Sequence, residues 1–328
     1  MRTLVTGGLG AVGSYVTRLF HERGDDVAVF DVRPDLRLVR DIADGITVVQ
    51  GDIGHLHALV HAFQEHRIEV VVHTAALMPV PVKRDPYVGT LVNVLGLTNI
   101  LEAARLTGVR RVVFASTRGV YAPASGKHAH PTYQPITEDY PKDPDSLYDA
   151  SRFYGERLGR QYAETYGLEF AATRFAHTFG PGKLTHGTLA VPCQIIEGAY
   201  RGIPVRVPQG GDQRDDLIYN RDAALCLVCA ATAENPASGV YSIGTGRAST
   251  LRDVEAAVRR HFPGADIEIG PGLDFKGLGR DSSTIYDTTR ARSEIGFEPR
   301  FGLDEAVADY LALLDRVDYF GIAPRLGG

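Results

Sequence analysis

The sequence of 328 residues contains no tryptophan, two methionines and only three cysteines. Three cysteines cannot form the disulfide framework that holds a small secreted protein together. Cys226 and Cys229 form a C-x-x-C pair, but no second pair completes a metal site, so we interpret them as small apolar residues of a buried helix. His57 and His61 share a helical spacing without a third ligand beside them, so the sequence predicts no metal site.

An excess of positive charge is also absent, since the formal net charge is −5. Proteins that bind nucleic acid or anionic membranes through their overall charge are basic, so neither partner is expected. No apolar run reaches the ~20 residues of a membrane span, and the N-terminus lacks the charged and apolar regions of a signal peptide. We therefore expect a cytoplasmic protein, built as one large domain or two closely joined ones.

Short apolar runs alternate with helical segments through the first half of the chain. This alternation predicts an α/β fold, in which a parallel sheet is buried between helices on both faces. After residue 176 the elements become smaller and less regular, and because strands and helices interleave there, that boundary is approximate. The predicted strands of the first half lie at residues 2–7, 26–32, 46–53, 70–76, 111–117 and 168–175.

A glycine-rich turn follows the first predicted strand. Gly7, Gly10 and Gly13 are spaced as G-x-x-G-x-x-G, with Ala11 and Val12 between the last two glycines. Glycine lets the backbone approach a pyrophosphate closely, and the N-terminus of the following helix supplies free N–H groups. The turn therefore predicts a dinucleotide-binding site.

Two acidic residues near the ends of later strands indicate which dinucleotide binds. Asp31 lies about 20 residues beyond the turn, where a carboxylate bonds to the adenosine ribose hydroxyls. Because a carboxylate repels a 2′-phosphate, Asp31 favours NAD over NADP, although Arg33 close by weakens that preference. Asp52 and Ile53 are candidates to flank the adenine, and the alternative role for Asp52 is that of a helix N-cap.

Tyr148 and Arg152 lie four residues apart in the segment SLYDASRFYGE, residues 146–156. Positions i and i+4 share one face of a helix, so the phenol would lie beside a permanent positive charge. A free phenol has a pKa near ~10, and a neighbouring cation lowers that pKa. The pair is therefore a candidate for proton transfer.

Further motifs follow the glycine turn in a fixed order: GDI, HTAA, NVLG, FASTRGVY, YDASR, TRFAHTFGPG, QRDDLIYNRDAA and YSIGTG. From residue 1 to about residue 310, they resemble an extended short-chain dehydrogenase/reductase of the nucleotide-sugar epimerase/dehydratase group. The resemblance implies a Rossmann NAD-binding domain over residues 1–176, with a doubly wound parallel sheet. It also implies a smaller α/β domain over residues 177–328 that binds a nucleoside diphosphate sugar.

The same resemblance implies particular contacts. Cofactor contacts are expected from Ala75, Ala76, Asn93, Tyr148 and Arg152. A homodimer is expected through the helices that follow Asn93 and Tyr148.

In the family that the chain resembles, a tyrosinate takes the proton of a sugar hydroxyl while the nicotinamide takes the hydride. The resemblance assigns the tyrosinate to Tyr148, and assigns a second bond to the same substrate oxygen to Thr117, with Ser116 beside it. The family motif is Y-x-x-x-K, and here Arg152 stands in place of the lysine. Three interpretations stay open: the arginine substitutes for lysine in catalysis, the protein binds NAD without turnover, or the site is reshaped for another substrate.

The residues after Thr117 bear on the type of reaction. Dehydratases and decarboxylases of the family carry acidic residues there, whereas this chain has Arg118 and Gly119, which disfavours 4,6-dehydration and decarboxylation. Simple redox chemistry and epimerisation through a keto intermediate remain. Proton abstraction at C5 needs a further acid–base pair, for which His177 and His186 are candidates.

The resemblance assigns substrate phosphate contacts to Arg214 and Arg280, and the arginine fork suits bidentate bonding to phosphate. The alternative for Arg214 is a surface salt bridge to Asp215 or Asp216. His177 replaces the asparagine that normally contacts the substrate diphosphate, and it is either a substrate contact or a packing residue.

Together, the motifs and the resemblance predict an NAD-dependent sugar-modifying enzyme, in first place a nucleotide-sugar 4-epimerase that works through a 4-keto intermediate. The first alternative is an NAD-dependent dehydrogenase or ketoreductase of a sugar, sugar acid or polyol. The second alternative is a non-catalytic, NAD-binding regulatory protein.

Overall fold

A parallel sheet of seven strands forms the centre of the computed structural model, which describes residues 1–184, 190–236, 239–279 and 282–321. The strands are β1 (Arg2–Thr6), β2 (Asp26–Asp31), β3 (Thr47–Gln50), β4 (Val70–His73), β5 (Arg111–Thr117), β6 (Glu169–Phe175), β7 (His177–Phe179), β8 (Val205–Val207), β9 (Leu217–Tyr219), β10 (Val240–Ile243) and β11 (Ile267–Ile269). The order in the main sheet is β10-β6-β5-β4-β1-β2-β3. This order confirms the predicted doubly wound α/β fold.

Helices cover both faces of this sheet. They are α1 (Gly13–Glu22), α2 (Leu56–Glu65), α3 (Pro79–Arg84), α4 (Pro86–Thr90), α5 (Gly96–Thr107), α6 (Leu147–Tyr166), α7 (Val191–Arg201), α8 (Asn220–Thr232), α9 (Leu251–His261), α10 (Thr289–Ile295) and α11 (Leu303–Arg316). A π-helical turn, Leu91–Leu95, joins α4 to α5.

Successive residues of the central strands point to opposite faces of the sheet, so each strand contributes to two cores. In β4, Val71 belongs to the core that contains Leu59 of α2 and Ile100 of α5. Its neighbour Val72 belongs to the core that contains Val16 of α1. Burial on both faces explains why the predicted strands are nearly continuous apolar runs.

The second half of the chain returns to the main sheet. Strand β10 pairs in parallel with β6 and forms one edge of the sheet. Two small parallel sheets, β7 with β9 and β8 with β11, lie outside it. The predicted boundary near residue 176 stays a prediction, and the pairing of β10 shows that the two parts of the chain interleave.

The C-x-x-C pair lies on α8. Cys226 is buried and Cys229 is partly buried, and burial raises the pKa of both thiols above its ordinary value. Protonated, buried thiols behave as small apolar side chains, which is the role that the sequence indicated.

One helical segment, Pro86–Thr107, has the length and composition of a membrane span, with 22 residues and a mean hydropathy of 1.2. The expectation that no segment has these properties is therefore wrong for this stretch, in which α4, the π-helical turn and α5 run on as one helix. Half of the apolar 18-residue stretch within this segment is buried inside the fold. A helix that packs in the core of a soluble protein passes the same test, so the segment is weak evidence for a membrane contact.

Helix α6 is fixed to the sheet by a buried ion pair. Its N-cap, Ser146, accepts a hydrogen bond from the backbone N–H of Asp149. Further along the helix, Glu156 accepts two bonds from the guanidinium of Arg174 on β6, at 2.6 and 2.9 Å, and one from the hydroxyl of Ser116 on β5, at 2.5 Å. Glu156 and Arg174 are both buried, so this contact sets the position of α6 on the sheet.

We expect Glu156→Gln to lower the free energy of unfolding by about 3–5 kcal/mol, because it leaves the buried charge of Arg174 without a carboxylate. The matched control is Glu164→Gln on the same helix, where the carboxylate forms an exposed i,i+4 pair with Arg160. That change should cost about 0.5 kcal/mol or less. Urea unfolding followed by circular dichroism measures both, and equal losses would show that the buried pair does not fix α6.

Candidate active site

A cavity of about 500 Å³ opens at the carboxyl ends of the central strands. Loops that follow parallel strands meet at this edge, which is where open α/β sheets bind their ligands. The described residues that line it include Val12, Thr74, Ala76, Thr117, Arg118, Tyr148, Asp149, Arg152, His177, Lys183 and Lys276.

Tyr148 and Arg152 share one face of α6, as their spacing predicted. The guanidinium carbon of Arg152 lies 5.1 Å from the ring centre of Tyr148 and 5.4 Å from that of Phe114. Arg152 is 1% exposed, and its Nε and Nη2 are buried without a hydrogen-bond partner among the described residues. Burial raises the pKa of Tyr148 above its ordinary value, and the charge of Arg152 opposes that rise.

Ser116 and Thr117 are adjacent on β5, so their side chains point to opposite faces of the sheet. The hydroxyl of Thr117 accepts the N–H of Gly119 at 3.2 Å, and Thr117 lines the cavity near Tyr148. The hydroxyl of Ser116 instead donates to the buried carboxylate of Glu156. Ser116 and Thr117 both line the cavity, and the catalytic roles of both stay predictions, while the contact of Ser116 with Glu156 also positions α6.

The glycine turn is packed so closely that side chains cannot replace two of its glycines. Gly7 has φ +67°, and a Cβ there would lie 2.7 Å from the backbone nitrogen of Ala75. A Cβ on Gly13, the first residue of α1, would overlap the carbonyl oxygen of Gly7. The N–H of Gly10 closes the turn by bonding to Gly7 O at 3.0 Å.

The rest of the turn is held from the second half of the chain. The carbonyl of Ala11 accepts a bond from Asn220 Nδ2, at 3.0 Å, and Val12 reaches the cavity wall. The predicted turn therefore stands at the N-terminus of α1, where a helix offers N–H groups to a pyrophosphate.

The predicted adenosine contacts lie at the ends of β2 and β3. Asp31 is the last residue of β2, and its carboxylate accepts the N–H of the exposed Arg33 at 3.2 Å. Asp52 accepts the N–H of Gly54 at 2.8 Å, so it forms a turn before α2, and the N-cap of α2 is His55. The N-cap alternative for Asp52 is therefore wrong. Contacts of Asp31, Arg33, Asp52 and the buried Ile53 with a cofactor stay predictions.

Asn93 is buried and bonds twice to one backbone position. Its Oδ1 accepts the N–H of Leu77 and its Nδ2 donates to the carbonyl of Leu77, both at 2.9 Å. This pair of bonds holds the loop after β4 that carries Ala75 and Ala76. The structure thus shows a positioning role for Asn93, and its own contact with a cofactor stays a prediction.

His177 lies in a charged cluster that the sequence did not predict. Its Nδ1 is 3.2 Å from the carboxylate of Asp215, which also pairs with Arg118 and Lys276, each at 2.8 Å. Burial and the charge of Lys276 lower the pKa of His177 to about 4. Although burial alone would raise the pKa of Asp215, Arg118 and Lys276 hold it well below its usual range. His177 is therefore neutral near pH 7, and its Nδ1 hydrogen is donated to Asp215.

The ring of His177 stacks on Phe275 at 5.5 Å, which confirms the packing interpretation, and it also lines the cavity, so a contact with the substrate stays a prediction. Arg214 is exposed, and its N–H bonds to the hydroxyl of Tyr133 at 3.4 Å. Asp215 pairs with Arg118 and Lys276, and Asp216 accepts N–H groups of Thr245 and Gly246. Among the described residues Arg214 forms no salt bridge with either carboxylate, so the salt-bridge alternative is wrong, and its phosphate contact stays a prediction. Arg280 and His186 lie outside the described residues.

Sequence reasoning also missed an acid in the cavity. Asp149 follows Tyr148 on α6, and a Cβ added at Gly119 would overlap its carboxylate. The carboxylate accepts the hydroxyl of Ser146 at 2.6 Å, and burial raises its pKa above the ordinary value. The fold therefore brings an acidic group beside the residues that follow Thr117, although none is adjacent in sequence.

These features fit NAD. The unpaired Nε and Nη2 of Arg152 suit the hydroxyls of a nicotinamide ribose, and Val12 of the glycine turn lines the same cavity. Residues 3–244 match the NAD dependent epimerase/dehydratase family. The chain belongs to this family. NAD is its cofactor, as the sequence predicted.

Members of this epimerase/dehydratase family are similar to the chain over nearly its whole length. UDP-glucose 4-epimerase of Mycolicibacterium smegmatis is 31% identical, over 94% of this chain and 96% of the relative. A crystal structure of UDP-glucose 4-epimerase with UDP-glucose from Thermotoga maritima superposes with a TM-score of 0.82 at 27% identity, covering 98% of this chain and 99% of the other. The structure of Thermus thermophilus UDP-glucose 4-epimerase in complex with NAD superposes with a TM-score of 0.79 at 29% identity, covering 98% of this chain and 99% of the other.

We expect the activity of the protein to rise with pH as Tyr148 ionises, because only the phenolate accepts a proton. Arg152→Gln removes the cation that opposes the raised pKa of Tyr148, so the rising limb should move to higher pH. Arg152→Lys keeps a cation and should move the limb less. The measurement is the pH profile of NAD reduction in a single turnover, with tyrosinate absorbance as a second readout. A profile unchanged in Arg152→Gln would show that Arg152 does not tune the phenol.

Proposed function

We propose that the protein is an NAD-dependent nucleotide-sugar 4-epimerase that works through a 4-keto intermediate. The observation that carries the proposal is the meeting of Tyr148, Thr117 and the partly unpaired guanidinium of Arg152 in one cavity at the carboxyl edge of the sheet. The similarity to UDP-glucose 4-epimerases over more than nine-tenths of the chain supports it.

Each residue has a distinct task in this proposal. The Tyr148 phenolate accepts the proton of the C4 hydroxyl, and the hydroxyl of Thr117 bonds to the same oxygen. Arg152 stabilises the phenolate by its charge and uses Nε and Nη2 to hold the ribose of the cofactor. Bound NAD supplies the acceptor, and afterwards the donor, of the hydride. After the 4-keto sugar has rotated in the cavity to present its other face, Tyr148 returns the proton to the same C4 oxygen.

The Tyr-x-x-x-Arg pair is part of the proposal as a working catalytic pair. Arginine carries the same charge as lysine and offers more than one N–H to the ribose. Its burial against the rings of Tyr148 and Phe114 fixes the guanidinium where that charge acts on the phenol.

We expect proton NMR of the protein with UDP-glucose to show a mixture of C4 epimers, with NAD needed only in catalytic amount. Tyr148→Phe should lower kcat by at least about 100-fold, since it removes the proton acceptor, while NAD binding persists. Accumulation of NADH in step with substrate loss would instead support a dehydrogenase. Unchanged sugars in the presence of bound NAD would contradict the epimerase proposal.

We also propose that the protein forms a homodimer through the exposed apolar face of α4 to α6. Tyr87, Leu91 and Leu95 lie on the helical stretch Pro86–Thr107, and Leu147 and Tyr154 lie on α6; all five are more than one third exposed. Apolar side chains gathered on neighbouring helices favour burial against a second copy of the same surface.

We expect the double variant Leu95→Glu/Tyr154→Glu to behave as a monomer of 35.6 kDa in light scattering after size exclusion, whereas the unmodified protein has about twice that mass. Ile203→Glu, which replaces an apolar side chain of similar exposure outside this face, is the control and should leave the mass unchanged. A monomeric unmodified protein would overturn the dimer proposal.

A further inference from the structure

Arg118 presents an unused edge of its guanidinium to the cavity. Both of its bonds to Asp215 come from a single nitrogen, Nη1, at 2.8 and 2.9 Å. Its Nε and Nη2 have no hydrogen-bond partner among the described residues, and the side chain is 18% exposed at the cavity wall. The Nε–Nη2 edge is the planar pair of donors with which arginine binds two oxygens at once.

Arg118 shares the compensation of the Asp215 charge with other groups. Its carboxylate, fully buried, also pairs with Lys276 at 2.8 Å and accepts the backbone N–H groups of Asp216 and Thr284, each at 3.1 Å. His177 adds a further bond at 3.2 Å. With these other partners Asp215 is fixed, and its carboxylate holds Arg118 in place at the cavity wall.

Among the described residues, the ion pair of Arg118 is with Asp215. Asp145 and Asp149 also line the cavity, and the carboxylate of Asp149 accepts the hydroxyl of Ser146. The open edge faces the cavity, where a bound ligand can replace water as the acceptor. A planar pair of guanidinium donors suits two oxygens of an oxyanion.

We propose that Arg118 is a specificity-determining residue that binds an oxyanion of the substrate, either the carboxylate of a uronic acid or a phosphoryl group. Arg118 directly follows Thr117, so its guanidinium acts close to the reacting end of the bound sugar. This inference rests on the proposed function, because it takes the cavity to be the substrate-binding site. It does not depend on whether the sugar is epimerised at C4.

The test measures equilibrium binding to the NAD-loaded protein, in a Tyr148→Phe background so that no ligand is converted. The ligands are UDP-glucose, UDP-glucuronate, UDP and free glucuronate. The variants are Arg118→Gln, Arg118→Lys, which keeps the charge without the fork, and the control Arg160→Gln on the exposed face of α6. Because Lys276 still pairs with Asp215, Arg118→Gln should fold and bind NAD as the parent does.

If the oxyanion is a carboxylate, Arg118→Gln weakens the binding of UDP-glucuronate by about 10- to 100-fold and leaves the affinity for UDP-glucose unchanged. If the oxyanion is a phosphoryl group, the binding of UDP and UDP-glucose weakens as well. In both cases the affinity of Arg118→Lys lies between those of Arg118→Gln and the parent, and Arg160→Gln leaves the affinity unchanged. Affinities for all four ligands within twofold of the parent in Arg118→Gln, or no binding of any ligand by the parent, would overturn the proposal.

The two proposals fail separately. Failure of UDP-glucose to epimerise, together with Arg118-dependent binding of an oxyanion, removes the 4-epimerase assignment and leaves the role of Arg118 standing. Epimerisation of UDP-glucose, together with no effect of Arg118 on binding, removes the role of Arg118 and leaves the 4-epimerase assignment standing.

Discussion

A guanidinium that keeps its proton at all ordinary pH values lies buried between the rings of Tyr148 and Phe114, and the active site is organised around its charge. Burying a cation without a carboxylate is expensive, and two of the nitrogens of Arg152 have no partner among the described residues. In the proposed function, the cost is offset when the phenol ionises and when the cofactor ribose supplies acceptors. The proposal thus assigns cofactor binding and ionisation of Tyr148 to the same residue.

Arginine in this position differs from lysine in one respect that matters. A buried lysine can lose its proton and become neutral, whereas arginine stays charged. Although burial lowers the pKa of Arg152, arginine holds its proton more firmly than lysine, so Tyr148 has a more constant electrostatic neighbour. The helix that carries both residues is fixed by Glu156 and Arg174, a second buried charge pair, which in turn binds Ser116. The geometry of the catalytic pair is inherited from that contact.

Local patterns in the sequence were enough to predict the sheet and the position of Tyr148 beside Arg152. Apolar runs identify strands that are buried on both faces, and the i,i+4 spacing of Tyr148 and Arg152 needs only the geometry of one helix. The cluster around Asp215 could not be predicted in this way, because Lys276 and Arg118 reach it from positions 61 and 97 residues away. Asp149 was missed for the same reason, since only the packing of α6 on the loop after β5 brings it to Gly119. Ser116 and Thr117 both carry a hydroxyl group, so the sequence does not distinguish them. Because they are adjacent on β5, their side chains point to opposite faces of the sheet and have different hydrogen-bond partners.

The pairing of β10 with β6 has a consequence for how the chain folds during synthesis. Until residues 240–243 leave the ribosome, β6 is an edge strand with unpaired N–H and C=O groups. At ordinary rates of translation that interval lasts on the order of several seconds, long enough for the open edge to meet other chains. A fragment that ends near residue 176 would keep this edge permanently. The nucleotide-binding half is therefore not a unit that can be cut out and studied alone without first covering β6.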